Sequence, residues 1–523
     1  MTHANPVEQS IAELQAELAS GGLSSAELVQ AYQRRIENID RPGDDNALAL
    51  NSVIAVNPDA IAQARALDAE RRERGARGPL HGIPLLIKDN IETADAMPTT
   101  AGSLALAHNL TRRDAPSVAG LRAAGAIVLG KANLSEWANI RSDRSVSGWS
   151  AVGGLTRNPH VLDRSACGSS SGSAAAVAAC LAAASLGTET DGSVVCPADV
   201  CGIVGLKPTV GLVSRTHVVP ISMSQDTPGP MARCVADAAL LLSAMAGRDR
   251  ADRATARAAS HRVDYSAVLN ADSLRGARLG VWRPRRTRVD SAAVFERALG
   301  ALRAGGATLI ELPGFRAPKK LGALELAVML TELKAGLDTY LASTPASVTT
   351  RTLAEIIAFN RSEPRELALF GQELFEAAER TSGLSDPVYR RARATSRRIA
   401  RRTLDMVFAA HNLDAIAMIT GGPAWRIDLV RGDDNSGEST ALPAVAGYPH
   451  LTVPMGTVQG LPVGLSFIGP AWSEARLLSL GHAFEQATHA RVAPSFLRAL
   501  EMEAVFTQAF DPTRAISRDS GAR

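Results

Sequence analysis

Lys88 closes a short apolar run, Leu85-Leu86-Ile87, and is followed by Asp89 and Asn90. A lysine at such a place has two uses. It can run its stem along apolar surface and put its charge in water, or it can stay in a dry site, where desolvation lowers its pKa until it works as a base. Downstream, Ser169, Ser170 and Ser171 lie between Gly168 and Gly172 and precede a run of small and apolar residues. Ser193 ends a second hydroxyl-rich loop, Gly187-Thr-Glu-Thr-Asp-Gly-Ser193. Serines at a helix N-terminus are favoured caps, and a serine among glycines is an ordinary turn residue. The same hydroxyl becomes a nucleophile once a neighbouring base removes its proton, so capping and chemistry can coexist.

Other chemistries fit these residues less well. Gly168-Ser-Ser170-Ser-Gly172 matches the G-x-S-x-G nucleophile elbow with Ser170 in the middle, but the elbow follows a buried strand, and His160-Val-Leu-Asp-Arg-Ser-Ala-Cys167 is broken by charge. Of the ten histidines only His217 and His450 are candidates for its base. A phosphate cradle would need a Lys-Ser/Thr ending that the loop lacks. Cys196 and Cys201 have no C-x-x-C or H-E-x-x-H partner and no nearby histidine, so no metal is expected.

The composition, 46% hydrophobic and 21% charged over 523 residues, is ordinary for a globular protein. A formal charge of +3 implies no polyanion partner. The arginine-dense stretch from Tyr389 to Arg402 reads as a solvated helix, because no further aromatics are interleaved for a nucleic acid to stack on. Five cysteines, Cys167, Cys180, Cys196, Cys201 and Cys234, are odd in number and crowded, a poor disulfide framework, so a reducing, cytoplasmic setting is expected. The first 36 residues hold no continuous apolar run, so no leader is expected, and Ala174–Leu186 is too short for a membrane span.

The elements that would position these residues alternate. Helices are expected over Pro6–Leu18, over Ser24–Ile39 behind a Ser24/Glu27 capping box, and over Ala60–Arg74. The run after Ser171 is long enough for about four helical turns and would fold the two serine loops together. Arg278–Trp282, Ser291–Arg303 and Thr308–Leu312 read as strand, helix and strand. Leu321–Leu341 and Thr352–Arg402 read as almost wholly helical, and strands return at Ala415–Ile419, Leu451–Val453 and Val463–Ile468. This rhythm predicts an α/β fold with partly parallel pairing.

Lys88 after its strand, Gly168-Ser-Ser-Ser-Gly172, Gly187-Thr-Glu-Thr-Asp-Gly-Ser193, Cys196-Pro-Ala and Gly205-Leu-Lys-Pro-Thr209, in this order, resemble the amidase signature family. Ser224-Gln-Asp-Thr-Pro-Gly-Pro-Met-Ala-Arg233 and Ala446-Gly-Tyr-Pro-His-Leu-Thr-Val-Pro-Met-Gly456 extend the resemblance from about Ile11 to His489. It implies a single large mixed β-sheet sandwiched between helices. A helical segment over 1–75 would pack on a catalytic domain over 76–505, with a helical insertion near 315–410 and a disordered tail over 506–523. It also implies Ser193 as nucleophile, Ser169 as bridging serine behind a cis Gly168-Ser169 bond, and Lys88 as base. The N–H groups of Thr190, Asp191, Gly192 and Ser193 would form an oxyanion hole.

Most of the family reads G-G-S-x-R at the nucleophile, whereas here Asp191-Gly192-Ser193-Val194-Val195 stands. With Asn133-Leu-Ser-Glu-Trp-Ala-Asn139 and Ser147-Gly-Trp149, this variant is most similar to the peptide amidases, which remove the C-terminal amide of peptides. Asn139, Trp149 and Trp425 are the expected substrate contacts. The implied reaction is hydrolysis of a small-molecule or peptide amide through an acyl-enzyme, with no cofactor, metal, nucleic acid or membrane. Aryl amides, anilides, esters and carbamates are rival substrates, and an amidotransferase A-type subunit is the rival role.

Overall fold

The Ser24 hydroxyl accepts from the Glu27 N–H while the Glu27 carboxylate accepts from the Ser24 N–H at 2.8 Å, and this reciprocal cap starts helix Ser25–Arg35. Ser10 and Glu13 start helix Ile11–Ser20 in the same way. The inward faces of the two helices bury Ile11, Leu14, Leu18, Leu28, Val29 and Tyr32, each aliphatic side chain contributing about 2 kcal/mol by leaving water. The computed structural model describes residues 5–41, 49–284, 288–434 and 439–500; the tail expected over 506–523 lies outside the described residues.

The strands, in chain order, are β1 Val53–Val56, β2 Pro84–Lys88, β3 Ile127–Ala132, β4 Trp149–Ser150, β5 Gly154–Leu155, β6 Ala184–Glu189, β7 Val204–Lys207, β8 Thr227–Ala232, β9 Arg278–Val281, β10 Thr308–Glu311, β11 Ala415–Ile419, β12 His450–Val458 and β13 Leu461–Ile468. All but the β4–β5 hairpin form one eleven-stranded sheet in the order β1-β3-β2-β6-β8-β7-β12-β13-β11-β9-β10. β3, β2 and β6 run parallel, as do β11, β9 and β10, and the strands between them pair antiparallel. Every residue of β2, β6, β7, β8 and β11 is buried, as strands covered on both faces require. The fold is thus the mixed sheet between helices that the sequence predicts.

Two differences bear on the site. The run after Ser171 is not one long helix: helix Ser171–Ala178 ends after two turns, and the chain re-enters the sheet as β6. Both halves are buried on all sides, so neither shows the periodicity that separates a helix from a strand. The stretch Thr352–Arg402 also breaks, into helices Leu353–Ser362, Glu373–Glu379 and Pro387–His411.

β2 and β6 lie side by side with Ile87 opposite Leu186, so Lys88 and Thr188 emerge together at the carboxyl edge of the sheet. That is where open α/β sheets hold ligands.

Candidate active site

Lys88 is fully buried. Its Nζ lies 2.8 Å from Ser169 Oγ, 3.0 Å from Ser170 Oγ, 2.9 Å from Thr188 Oγ1 and 3.2 Å from the Thr188 carbonyl. No carboxylate pairs with it among the described residues. Burial pushes its pKa well below the usual lysine range, with Glu189 and Asp226 pulling weakly the other way. The peptide bond between Gly168 and Ser169 is cis. Gly187 leaves room for this cluster, since a Cβ there would come within 2.7 Å of Ser170 Oγ.

Ser193 is only 8% exposed and stands on the wall of a cavity of about 340 Å³. Its carbonyl accepts from the Ser170 N–H at 3.1 Å, which ties its loop to the serine cluster. Gly192, at φ +81°, makes the left-handed turn that would strain any side chain. The Glu189 carboxylate then accepts from the N–H groups of Val194 and Val195 at 2.8 and 3.0 Å. The N–H groups of Asp191, Gly192 and Ser193 have no hydrogen-bond partner among the described residues. Free donors beside a cavity suit an oxygen that gains negative charge.

Thr190, Asp191, Gly192, Ser193 and Asn139 line the cavity, and Gly168 lies beside the buried Ser169. Trp149 is elsewhere: it is buried against Phe370, ring centroids 5.2 Å apart, with the Arg141 guanidinium over its ring. Trp425 stands behind the wall, its indole donating to Asp433 at 3.3 Å, and it is Asp433 that reaches the cavity. His217 is on the surface near Glu92, and His450 is buried against Ser466 at 2.6 Å. Ser170 Oγ meets Lys88 and Thr188 and, among the described residues, no imidazole, so neither histidine serves it as an elbow base.

Sequence reasoning missed Thr188, Asn90, Asp433, Thr440 and Met329. Asn90 donates to Thr188 Oγ1 at 2.9 Å from the turn that follows Lys88, and its place in the chain directly after the Lys88 strand was the available signal. The others come from distant segments with no pattern in common.

The expectation of no disulfide fails at one pair. Cys167 and Cys196, 29 residues apart, are joined, with Cα atoms 6.1 Å apart. Helix Ser171–Ala178 and β6 fold one serine loop back beside the other, and the bridge links the residue before Gly168 to a residue just after Ser193. An odd count leaves Cys180, Cys201 and Cys234 as thiols, so the cysteine pattern carries no argument for a reducing compartment. Among the described residues no helix is long and apolar enough to cross a membrane, and no group of three or more His, Cys, Asp and Glu could hold a metal ion.

Comparison with known proteins places this arrangement. Residues 27–478 match the Amidase family. The chain is 38% identical over 497 residues to a probable amidase of Arabidopsis thaliana, covering 94% of this chain and 92% of that one. It is 38% identical over 523 residues to the A-type subunit of the glutamyl-tRNA(Gln) amidotransferase of Halorhodospira halophila, covering 94% and 99%. The solved structure of native peptide amidase from Stenotrophomonas maltophilia superposes with a TM-score of 0.88 at 51% identity, over 94% of this chain and 99% of that one. A match over most of its length, to several relatives above 30% identity, makes this chain a member of the amidase family of amide-hydrolysing enzymes.

Proposed function

We propose that the protein is a serine amidohydrolase that converts the C-terminal amide of a peptide, or an amino-acid amide, to the acid and ammonia. The observation that carries this reading is the Lys88 amine, buried and, among the described residues, without an ion pair, 2.8 Å from Ser169 Oγ. The surrounding bonds suit a neutral amine. Ser170 donates its hydroxyl proton to the Thr188 carbonyl at 3.1 Å, so toward Lys88 its oxygen can only accept. The two N–H bonds of a neutral amine are satisfied by Ser170 and Thr188, and the lone pair is left for the Ser169 proton.

Ser193 Oγ attacks the amide carbon as its proton passes to Ser169 Oγ and the Ser169 proton passes to Lys88. The carbonyl oxygen becomes an oxyanion beside the N–H groups of Thr190, Asp191, Gly192 and Ser193. The lysine proton returns through Ser169 to the amide nitrogen, the C–N bond breaks and ammonia leaves. Water then attacks the ester by the same route, and the acid departs from a regenerated Ser193.

The likeness to a peptide amidase supports the amide class. The amidotransferase reading draws on the Halorhodospira relative, but the cavity wall carries Asp191 and Asp433 and, among the described residues, no basic side chain to hold a free carboxylate such as that of glutamine. The test is stoichiometric trapping of Ser193 by a fluorophosphonate, with ammonia release from an amidated peptide. Release from the amide but not from free glutamine is expected. A wild-type protein that neither labels at Ser193 nor releases ammonia overturns the reading.

A further inference from the structure

The loop that follows β11 carries Asp433 to the wall of the cavity that also holds Ser193. Three neutral donors fix its carboxylate there. The Ser147 N–H lies 3.1 Å from each oxygen, the Ser147 hydroxyl 2.5 Å from Oδ2, and the Trp425 indole nitrogen 3.3 Å from Oδ1. Gly432 permits the close approach of the two loops: it stands at φ +78°, and a Cβ on it would come within 3.1 Å of the Arg144 carbonyl. The fixing extends to the serine cluster. Gly148, next to Ser147, donates its N–H to Ser135 Oγ at 2.9 Å, and the Ser135 N–H donates to the Ser169 carbonyl at 3.0 Å. Asp433 is therefore held in a set place relative to Ser169.

A carboxylate offers about four acceptor sites, so three neutral donors leave one of them open and the charge uncompensated. Among the described residues no cation pairs with Asp433, and no basic side chain lines the cavity. The rest of the wall adds acceptors, not positive charge. Asp191 and Asn139 both line it, and Asp191 Oδ1 and Asn139 Oδ1 are buried with no donor among the described residues. Such a wall suits an occupant that brings its own donors and a positive charge. Resting on the serine-amidohydrolase reading, we infer that Asp433 is a specificity-determining residue: it receives a cationic nitrogen of the substrate, an ammonium or a guanidinium. The leaving group in that reading is ammonia, so the cation belongs to the acyl part.

The hydrogen bonds at Asp433 are those of the ionised form. Both oxygens accept from an N–H group, which cannot accept in return, so neither is placed to carry a proton toward its neighbours. A role confined to bracing the Ser147 loop would be indifferent to the charge of the substrate. The inferred role ranks substrates by charge, with a cation above a neutral amide and a neutral amide above an anion.

The experiment uses the full chain at about pH 7, where an α-amine is mostly protonated, and reads ammonia release from four amides. N-acetylleucinamide is neutral, leucinamide carries a cation on its α-amine, N-acetylargininamide carries one on its side chain, and the α-amide of N-acetylglutamic acid carries an anion. In the wild type kcat/KM for at least one of the two cations is expected to exceed that for N-acetylleucinamide roughly tenfold, with the anion roughly tenfold below it. Which cation gains tells whether the α-amine or the side chain reaches Asp433. Asp433→Asn keeps an acceptor oxygen for the Ser147 and Trp425 donors and removes the charge. It is expected to bring the cation-to-neutral ratio of kcat/KM down to about one, mostly through KM. The ratio is taken within one protein, so a general loss of active enzyme cancels from it. A wild type indifferent to charge, or a ratio that Asp433→Asn leaves in place, overturns the inference while the serine mechanism stands. If Asp433→Asn does not fold, the wild-type ranking decides alone. A wild type that releases ammonia from none of the four and does not label at Ser193 with a fluorophosphonate removes the reading beneath it.

Discussion

Two lysines stand at the ends of neighbouring parallel strands. Lys88 ends β2, and Lys131, paired with Ile87, lies one residue from the end of β3. Both are fully buried. Lys131 Nζ lies 3.1 Å from the Asp89 carboxylate and donates to the Ile91 carbonyl at 2.9 Å and to Thr99 Oγ1 at 2.7 Å. Among the described residues Lys88 bonds to hydroxyls and a carbonyl alone. Burial depresses both pKa values, but at Lys131 the adjoining Asp89 works strongly against it, whereas Lys88 is pushed well below its ordinary range. The same side chain at the same depth is ion-paired in one strand and set among hydroxyls in the next; under the proposed mechanism the missing counter-ion is what frees Lys88 to act as a base.

Removing the base should have the largest effect. Lys88→Met is expected to cut kcat by roughly 10⁴-fold, the scale on which members of a serine-based catalytic set act together. Lys88→Arg should be nearly as inactive, because a guanidinium stays protonated. In the wild type the rate should fall as pH drops through the depressed pKa of Lys88, since only the neutral amine takes a proton. Substantial activity in Lys88→Arg, measured by ammonia release with the fold checked by circular dichroism, would break the comparison at its catalytic end.

Lys131→Met tests the other end. It strands the Asp89 carboxylate in the core, which should cost about 3–5 kcal/mol and lower the apparent melting temperature by several degrees. Asp89→Asn combined with Lys131→Met should recover part of that loss, because the two residues are in contact and their effects are coupled. A single variant as stable as the wild type would mean that the ion pair is no strut.

Much of this comparison was legible in the sequence. The Leu85–Lys88 run, the Ser24/Glu27 cap and the periodic helix beginning at Leu321 each carry a local signal. The serine loops are legible too, but only as loops. What brings them together is β6, hidden in an alanine-rich run that is buried on every side and therefore has no periodic pattern. The Cys167–Cys196 bridge was obscured by an odd cysteine count, which argues against a full framework but not against one bond. Asp433 and Met329 reach the site from segments more than a hundred residues beyond Ser193, where only the fold makes them neighbours.

The bridge offers a smaller test of how finely the lysine and serines must be aligned. Cys167 precedes the Gly168-Ser169 turn, and Cys196 lies in the first turn of helix Val195–Val200 after Ser193, so the bond fastens the two loops on one cavity wall. The loops are also tied by the Ser170–Ser193 backbone bond, and Glu189 braces the second loop from within. Reduction, or Cys167→Ala with Cys196→Ala, should therefore misplace the hydroxyls slightly and lower kcat about threefold to tenfold, well short of the loss from a gross misalignment. An unchanged rate after reduction, with free thiols counted by mass, would show that the other ties suffice.

The smallest effect is expected at His217, and it sharpens the contrast by asking whether an imidazole contributes at all. Its ring lies 3.7 Å from Glu92, on the side of that carboxylate already held by Arg113. Burial and Arg113 lower its pKa, so it is largely neutral at pH 7 and adds little to that pair. Its backbone has φ +62°, which alanine tolerates poorly and asparagine well, so His217→Asn removes the ring without straining the turn. Activity within about twofold of wild type is expected, the change usual for a surface position outside any network. The acid limb of the rate profile should not move, because it belongs to Lys88; a limb that shifted with His217→Asn would assign the titrating base to the imidazole and return Ser170 to consideration as the nucleophile.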